Sequence, residues 1–596
     1  MQPTEMGECV DDQTLDAASQ QDTPTADDPT KGTQAHESTI LTGKRLAVVF
    51  VAMLLSTLLT SLDQTILATA LPRIASDFDS FTLQGWVATS FVLAQTVFLL
   101  FYGQILRIFP AKWVLICSVV TFEIGSLVCG VSQNVDQLIA GRTVSGLGAS
   151  GIFVGVLQVI AQVTVLEDRP RLFGLFGAVF GMASIVGPLI GGAFTDHVTW
   201  RWCFFINLPV GGVSVAALTF LLKASPPLGS DPAKRSWGDI MQQTAQLDFV
   251  GAVLVAAAVT SLVLALQWGG NTKPWGDKAV IICFVFFAVL AIAFVVWEVY
   301  LGERAMMPTS IFHSKSICAI VVYCFLTRFS LLLFSYEPPQ YIPIFYQAVR
   351  HHSATKSGID ILPFMLGFVL TIVTCAQLVT KMGYYWPFLV ASPVFLAVGS
   401  GLMYSLNTSS SSAELVGFQI VAGVGVGMGM QNAFLAIQYA FIPSVLSAFT
   451  DARHARAEFK DNPKCIGQAT SIATFAQFLG GTVGLGVAEP VFASKLGTYL
   501  QRFAPDAPAA IVRQSPTAIG TDLPAGMISG VVRAYTDSLR IVFVLGVPVA
   551  GLALLMAGFI KNIKIVKTEP GVGQGTEKAY GAGGDVEKAD SMKTTP

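Results

Sequence analysis

Charge is scarce in this chain. Only 12% of its 596 residues are charged, against roughly 25% in soluble domains. Hydrophobic residues make up 53%, and mean hydropathy is +0.62. A soluble globule of this size needs more charge to cover its surface, so the composition implies an integral membrane protein. The formal net charge is −2, and without a basic field nucleic acid is not an expected partner. The 9 cysteines are scattered, mostly in apolar runs, with no CxxC spacing. They read as small packers, and no metal or cofactor is called for. There is no G-x-x-x-x-G-K-[ST], so the chain has no P-loop for ATP hydrolysis. The glycines of "AGVGVGMGM" follow no strand, which excludes a dinucleotide loop. Any transport by such a chain would have to run on a gradient, and no enzyme chemistry is expected of it. A cleaved signal peptide is also missing, because residues 1–45 are polar and lack its short apolar core.

Long apolar runs are abundant. A bilayer core needs about 20 apolar residues per helix. About fourteen such runs lie near 46–70, 84–106, 113–131, 137–161, 172–194, 202–222, 247–268, 279–300, 316–336, 359–380, 386–405, 414–440, 466–487 and 540–560. Barrel strands would be shorter and alternating, so the runs predict helices. Basic residues recur in every second loop: Arg107 and Lys112, Arg169 and Arg171, Lys234 and Arg235, Arg304 and Lys315, then Lys561 and Lys564 after the last run. The intervening "SDFDSFT", "SQNVDQ" and "NTSSSS" are poorer in them. By the positive-inside rule the even loops and both termini are cytosolic. The odd loop at 337–358 is an imperfect case, since it holds Arg350 and Lys356. The sequon Asn407-Thr408-Ser409 falls in an outward loop and is a candidate glycosylation site. The segment 488–538, with five prolines from Pro490 to Pro524, reads as an extracellular loop with one short helix.

The chain repeats itself. "LIAGRTVSGLGASG" from Leu138 aligns with "LVGFQIVAGVGVGM" from Leu415, matching Gly146 to Gly423 and Gly148 to Gly425. "ASIVGPLIG" from Ala183 aligns with "AQFLGGTVG" from Ala476, matching Gly187 to Gly480 and Gly191 to Gly484. Both matches fall in consecutive spans with the same membrane direction, as expected of two parallel-related bundles that rock about a central cavity. The expected organisation is a disordered cytosolic tail (1–45), a six-helix bundle (46–222), a linker with two extra spans (223–315), a second six-helix bundle (316–560) and a cytosolic tail (561–596).

The first repeat also contains an arginine. Arg142 aligns with Gln419, so packing alone does not require the charge. An intramembrane arginine costs about 2.5–3.5 kcal/mol on insertion scales and cannot shed its proton. It must face a cavity or a carboxylate, as a functional group or as a structural hub. Asp63, in "TSLDQTILATALPRI", is the natural partner, since a carboxyl in a low-dielectric site can load and release a proton. Glu123 and Arg328 are further intramembrane ionisable candidates outside any motif. Gln158, Gln431, Asn432 and Gln477 are candidates to line the cavity. In "GPLIGG" Pro188 stands among Gly187, Gly191 and Gly192, a hinge or a static kink.

Five stretches carry a family resemblance: "LDQTILATALPRI" at 62–74, "LIAGRTVSGLGASGIF" at 138–153, "GMASIVGPLIGG" at 181–192, "WRWCFFINLPVG" at 200–211 and "YIPIFYQAVRHHSATKSGIDILP" at 341–363. In these the chain resembles the fourteen-span drug:proton antiporters of the major facilitator superfamily, especially the fungal toxin-efflux branch. The resemblance implies an all-α polytopic fold of two six-helix bundles plus two central spans. It implies proton coupling at Arg142 and Asp63 and an antiporter kink at Gly187 and Pro188. The cytoplasmic latch after the second span departs from the family pattern: Gly103 and Lys112 remain, but Arg107 replaces the usual aspartate and Pro110 the second glycine. The function implied is export of a small amphipathic toxin or secondary metabolite in exchange for protons, by a monomer in the lipid bilayer. The plasma membrane is the expected site, with the vacuolar membrane as the other. An importer or exchanger of a nutrient or siderophore on the same fold is the alternative.

Overall fold

A computed structural model describes residues 41, 43–78, 84–165, 167–227, 236–270, 272–334, 341–440, 465–508, 512, 519 and 523–564. The two terminal tails expected to be disordered fall almost wholly outside these residues. Among the described residues 14 helices are long and apolar enough to cross a membrane. The first six spans are α1 (Gly43–Asp77), α2 (Gln84–Ile108), α3 (Ala111–Val131), α4 (Val135–Val163), α5 (Arg169–His197) and the pair α6 (Trp202–Phe205) and α7 (Asn207–Leu221). The middle section holds α8 (Trp237–Ala245), α9 (Phe249–Trp268) and α10 (Lys278–Leu301). The last six spans are built from α11 (Lys315–Phe334), α12 (Tyr341–Arg350), α13 (Ala354–Asp360), α14 (Leu362–Met382), α15 (Trp386–Tyr404), α16 (Ser412–Ala440), α17 (Ile466–Phe503), α18 (Ala525–Val544) and α19 (Gly546–Phe559).

Local sequence sets many of these boundaries. The Asn134 side chain accepts from the Gln137 amide and opens α4. Ser236 and Asp239 form a capping box on α8, and Asp277 caps α10 through the Ala279 amide. Gly383, left-handed at φ 74°, closes α14.

The internal repeat is a repeat of packing. In the first half α4 packs on α2 and α3, while α1 packs on α5 and α7. In the second half α16 packs on α14 and α15, while α11 packs on α17 and α19. The matched glycines make the same approach in each half. A β-carbon on Gly146 would overlap the Phe91 carbonyl of α2, and one on Gly423 the Phe364 carbonyl of α14. The two halves meet where α2 lies on α17 and α5 on α14. The extra pair sits at that seam: α9 touches both α2 and α17. α10 buries only Val280 and Glu298 and otherwise presents apolar side chains outward.

Two loops differ from expectation. The segment 337–358 contains α12 and the start of α13. The expected loop at 488–538 is largely helical: α17 runs on through Pro490 to Phe503, and α18 begins at Ala525. Proline deletes one ladder bond without forcing the helix to end. Beyond it, Leu496 and Leu500 are buried in a core with Phe492 and Tyr535, whose rings lie 5.8 Å apart. That packing, not lipid, stabilises the extension, so the last span starts earlier than its hydropathy suggests, at Gly526.

Candidate functional site

Arg142 and Asp63 meet inside the first bundle. The Arg142 guanidinium donates from Nη1 to Asp63 Oδ2, with both side chains almost fully buried. Its Nε donates to the Val87 carbonyl at 3.1 Å, and the Phe91 ring lies 4.3 Å beneath it. Charge, hydrogen bond and aromatic face together offset the desolvation of the cation. The other Asp63 oxygen accepts from Asn207 Nδ2 at 3.4 Å, and the same amide reaches Ser126 Oγ at 3.3 Å. Helices α1, α2, α3, α4 and α7 thus converge on one ion pair. The second bundle has no such pair at the matching place: Gln419 donates to the Tyr346 hydroxyl at 2.8 Å.

The kink packs against this site. A β-carbon on Gly187 would overlap Thr65, two residues from Asp63, and one on Gly191 would overlap the Ile66 carbonyl. Thr65 Oγ1 donates to the Ala183 carbonyl of α5 at 2.9 Å. Pro188 remains inside a continuous α5. Gly192 has open space around its Cα, so it plays no part in the close approach.

At the end of the bundles carrying the basic loops the two halves are sealed. Phe153 of α4 sits edge-on to Phe176 of α5 at 5.2 Å, Phe478 of α17 at 5.5 Å and Phe434 of α16 at 6.0 Å. Every residue is buried from Gly148 to Val163 of α4, from Gly429 to Tyr439 of α16 and from Ile466 to Phe478 of α17. Arg169 donates to the Ala161 carbonyl at 2.6 Å and to Gln438 Oε1 at 3.4 Å, which ties α5 to α16. Beyond Phe478 of α17 burial becomes intermittent.

The other sequence candidates have definite places. Arg328 of α11 lies over Phe478 at 5.3 Å and over Phe180 of the opposite half at 5.7 Å, next to the phenylalanine cluster. Gln158 faces Gly467 and Gln431 faces Gly177, both across the seam. Gln477 is buried, while Asn432 bonds back to the Met428 carbonyl of its own helix. Asn407 is exposed in a turn, its side-chain oxygen accepting from the Ser409 amide at 2.8 Å.

The altered latch grips backbone. Gly103 lies against Ser471 of α17. Arg107 donates to the Glu303 carbonyl at 2.9 Å, and Gln104 donates to the Arg304 carbonyl at 2.6 Å while accepting from the Asp248 amide at 3.1 Å. Lys112 donates to the Thr219 carbonyl in the last turn of α7 at 2.7 Å. Sequence reasoning missed Asn207 and Gln104. Asn207 stood in the quoted "INLPVG" as a lone amide in an apolar run, a weak but available signal.

Comparison with known proteins agrees with this geometry. Residues 53–485 match the Major Facilitator Superfamily. The chain is 35% identical over 533 residues to an MFS-type efflux pump, MFS1, of Trichophyton rubrum, covering 89% of this chain and 94% of that one. It is 34% identical over 545 residues to the MFS-type transporter ungB of Aspergillus violaceofuscus, covering 91% and 93%. It is 36% identical over 522 residues to the efflux pump hmp6 of Hypomyces subiculosus, covering 87% and 88%. Among solved structures, the human organic anion transporter MFSD10 shares the fold at a TM-score of 0.53 and 13% identity, covering 87% of this chain and 100% of that one. The family match over residues 53–485 and these relatives at 34–36% identity along most of both chains place this multi-pass, pseudo-repeated protein in the major facilitator superfamily, alongside fungal efflux pumps and transporters.

Proposed function

We propose that the chain is a proton-coupled exporter of a small amphipathic toxin or secondary metabolite. It acts as a monomer in the plasma membrane, with the basic loops and both termini in the cytosol. The observation that carries this reading is the Arg142–Asp63 pair, buried in one half and replaced by Gln419 and Tyr346 in the other. Packing does not demand the pair, so a titratable function explains it better than structure does. Protonation of Asp63 removes the counter-charge of Arg142. Thr65 and Ile66 of α1 bear on Gly187 and Gly191 of α5, and α5 bears on α14 of the other half. A change at Asp63 is thereby passed to α5, which carries Phe176 and Arg169 of the contact that seals the cytosolic end. Asn407, exposed on the outer side in this orientation, is available for glycosylation.

The test uses purified protein in vesicles with an imposed pH gradient, offered a panel of amphipathic fungal metabolites. Accumulation of one of them only with the gradient, and its loss on adding a protonophore, is the expected result. Uptake of a nutrient or siderophore alone would favour the importer reading, and transport of a panel member independent of the gradient would overturn proton coupling.

A further inference from the structure

Glu123 is an acid in a membrane span with no motif around it. Both its carboxyl oxygens are buried and have no hydrogen-bond partner among the described residues. The carboxyl lies against Gly211 of α7, where a β-carbon would collide with it. The missing side chain at Gly211 is what leaves room for the acid. One turn along α3 from Glu123 stands Ser126, and one turn along α7 from Gly211 stands Asn207. These two are bonded to each other, and Asn207 reaches Asp63. In the other direction along α7, Ser214 shares a 2.6 Å hydrogen bond with Ser56 of α1. Glu123 therefore stands in a file of polar groups between the Asp63–Asn207 layer and the Ser56–Ser214 layer.

The charges in this cluster do not balance. α1 brings Asp63 and α4 brings Arg142. The thiols of Cys129 on α3 and Cys203 beside Asp63 adjoin the same pair, and α7 brings no titratable side chain. One guanidinium thus serves two carboxyl groups, whose charges repel each other. Arg142 is already engaged by Asp63. A second carboxylate with no donor would be an uncompensated buried charge, whereas a neutral acid fits the same space.

We infer that Glu123 is a second proton-binding site of this bundle, holding a proton while Asp63 holds the charge opposite Arg142. The inference rests on the proton-coupling reading above. Transfer breaks the O–H bond of Glu123 and forms one on Asp63, leaving the electron pair on Glu123 as the new carboxylate. The cluster's net charge is unchanged, but the negative charge moves from α1, where it faces Arg142, to α3.

The full chain in lipid nanodiscs is examined by infrared difference spectroscopy across a pH titration, without cargo. The carbonyl stretch of a buried protonated carboxylic acid should be present in the native protein and lost in Glu123→Gln, and in Asp63→Asn, where Glu123 is the carboxyl left to balance Arg142, it should vanish at a lower pH than in the native protein. The same band undiminished in Glu123→Gln overturns the inference. Should that variant fail to fold, Glu123→Asp must shift the band, and an unshifted band has the same consequence. Asp63→Asn keeps the two ideas apart: full gradient-driven transport by that variant overturns the coupling reading, not this one.

Discussion

Arg142 of α4 and Gln419 of α16 occupy equivalent places in the two bundles, yet only the first faces a carboxylate. Gln419 spends its amide on the Tyr346 hydroxyl at 2.8 Å, while Arg142 spends its charge on Asp63. Two bundles built on one packing plan have therefore diverged at the position that decides whether charge is held inside the membrane. On the proposed function, that asymmetry separates what holds the fold from what carries the proton coupling.

The separation can be measured at the pair itself. Arg142→Ala strands Asp63 as a buried charge and should lower stability by about 3–5 kcal/mol, with loss of gradient-driven transport. The double variant Asp63→Leu with Arg142→Met removes both charges and should recover most of that stability, but no transport. Thermal unfolding in nanodiscs alongside vesicle transport checks both halves. A double variant less stable than Arg142→Ala would contradict the electrostatic explanation.

Glycines in the kink and its repeat differ in what they tolerate. Gly480→Ala sets a methyl group against the Phe325 carbonyl and should cost about 1–3 kcal/mol. Gly192→Ala enters open space and should be neutral or stabilising by up to about 1 kcal/mol, since alanine favours helix. Paired melting curves decide between a packing role and a purely flexible one.

The phenylalanine cluster should act as the seal. Phe153→Ala removes the ring shared by Phe176, Phe434 and Phe478 and should cost about 3–5 kcal/mol. Phe220→Ala, at a side chain 86% exposed, should change stability by less than about 0.5 kcal/mol. Maleimide labelling of Cys465, buried at the start of α17, should speed up only in the first variant.

The latch residue Gln104 holds two segments at once, the Arg304 carbonyl and the Asp248 amide. Gln104→Ala should cost about 1–3 kcal/mol by leaving the buried Asp248 amide and the part-buried Arg304 carbonyl unmatched. Amide hydrogen exchange should rise in 302–307 and at the start of α9. Arg107→Ala, whose bond is exposed, should leave exchange there nearly unchanged.

The fourteen spans were legible because lipid-facing helices must be apolar all round, as α10 is. The repeat was legible because close helix approach needs glycine at fixed spacing, as at Gly146 and Gly423. Arg142 and Asp63 could be paired on paper because a charge in lipid must have an answer. What stayed hidden depends on tertiary contact. The continuation of α17 past Pro490 is stabilised by Phe492, Leu496 and Leu500 against α18, a half-apolar pattern that hydropathy reads as loop. Asn207 gives no periodic signal, and Gln104 finds Arg304 across 200 residues of chain. The latch looked degraded in sequence because its partners are backbone carbonyls, which leave no mark in side-chain identity.

The most direct measurement is the lumenal pH of vesicles containing the purified chain, followed while cargo moves uphill. Proton coupling through Asp63 requires protons to move opposite to cargo, so that lumenal pH rises in pace with cargo entering the lumen, and this change disappears in Asp63→Asn. Uphill movement of cargo with a constant lumenal pH, or an unaltered pH signal in Asp63→Asn, would contradict it.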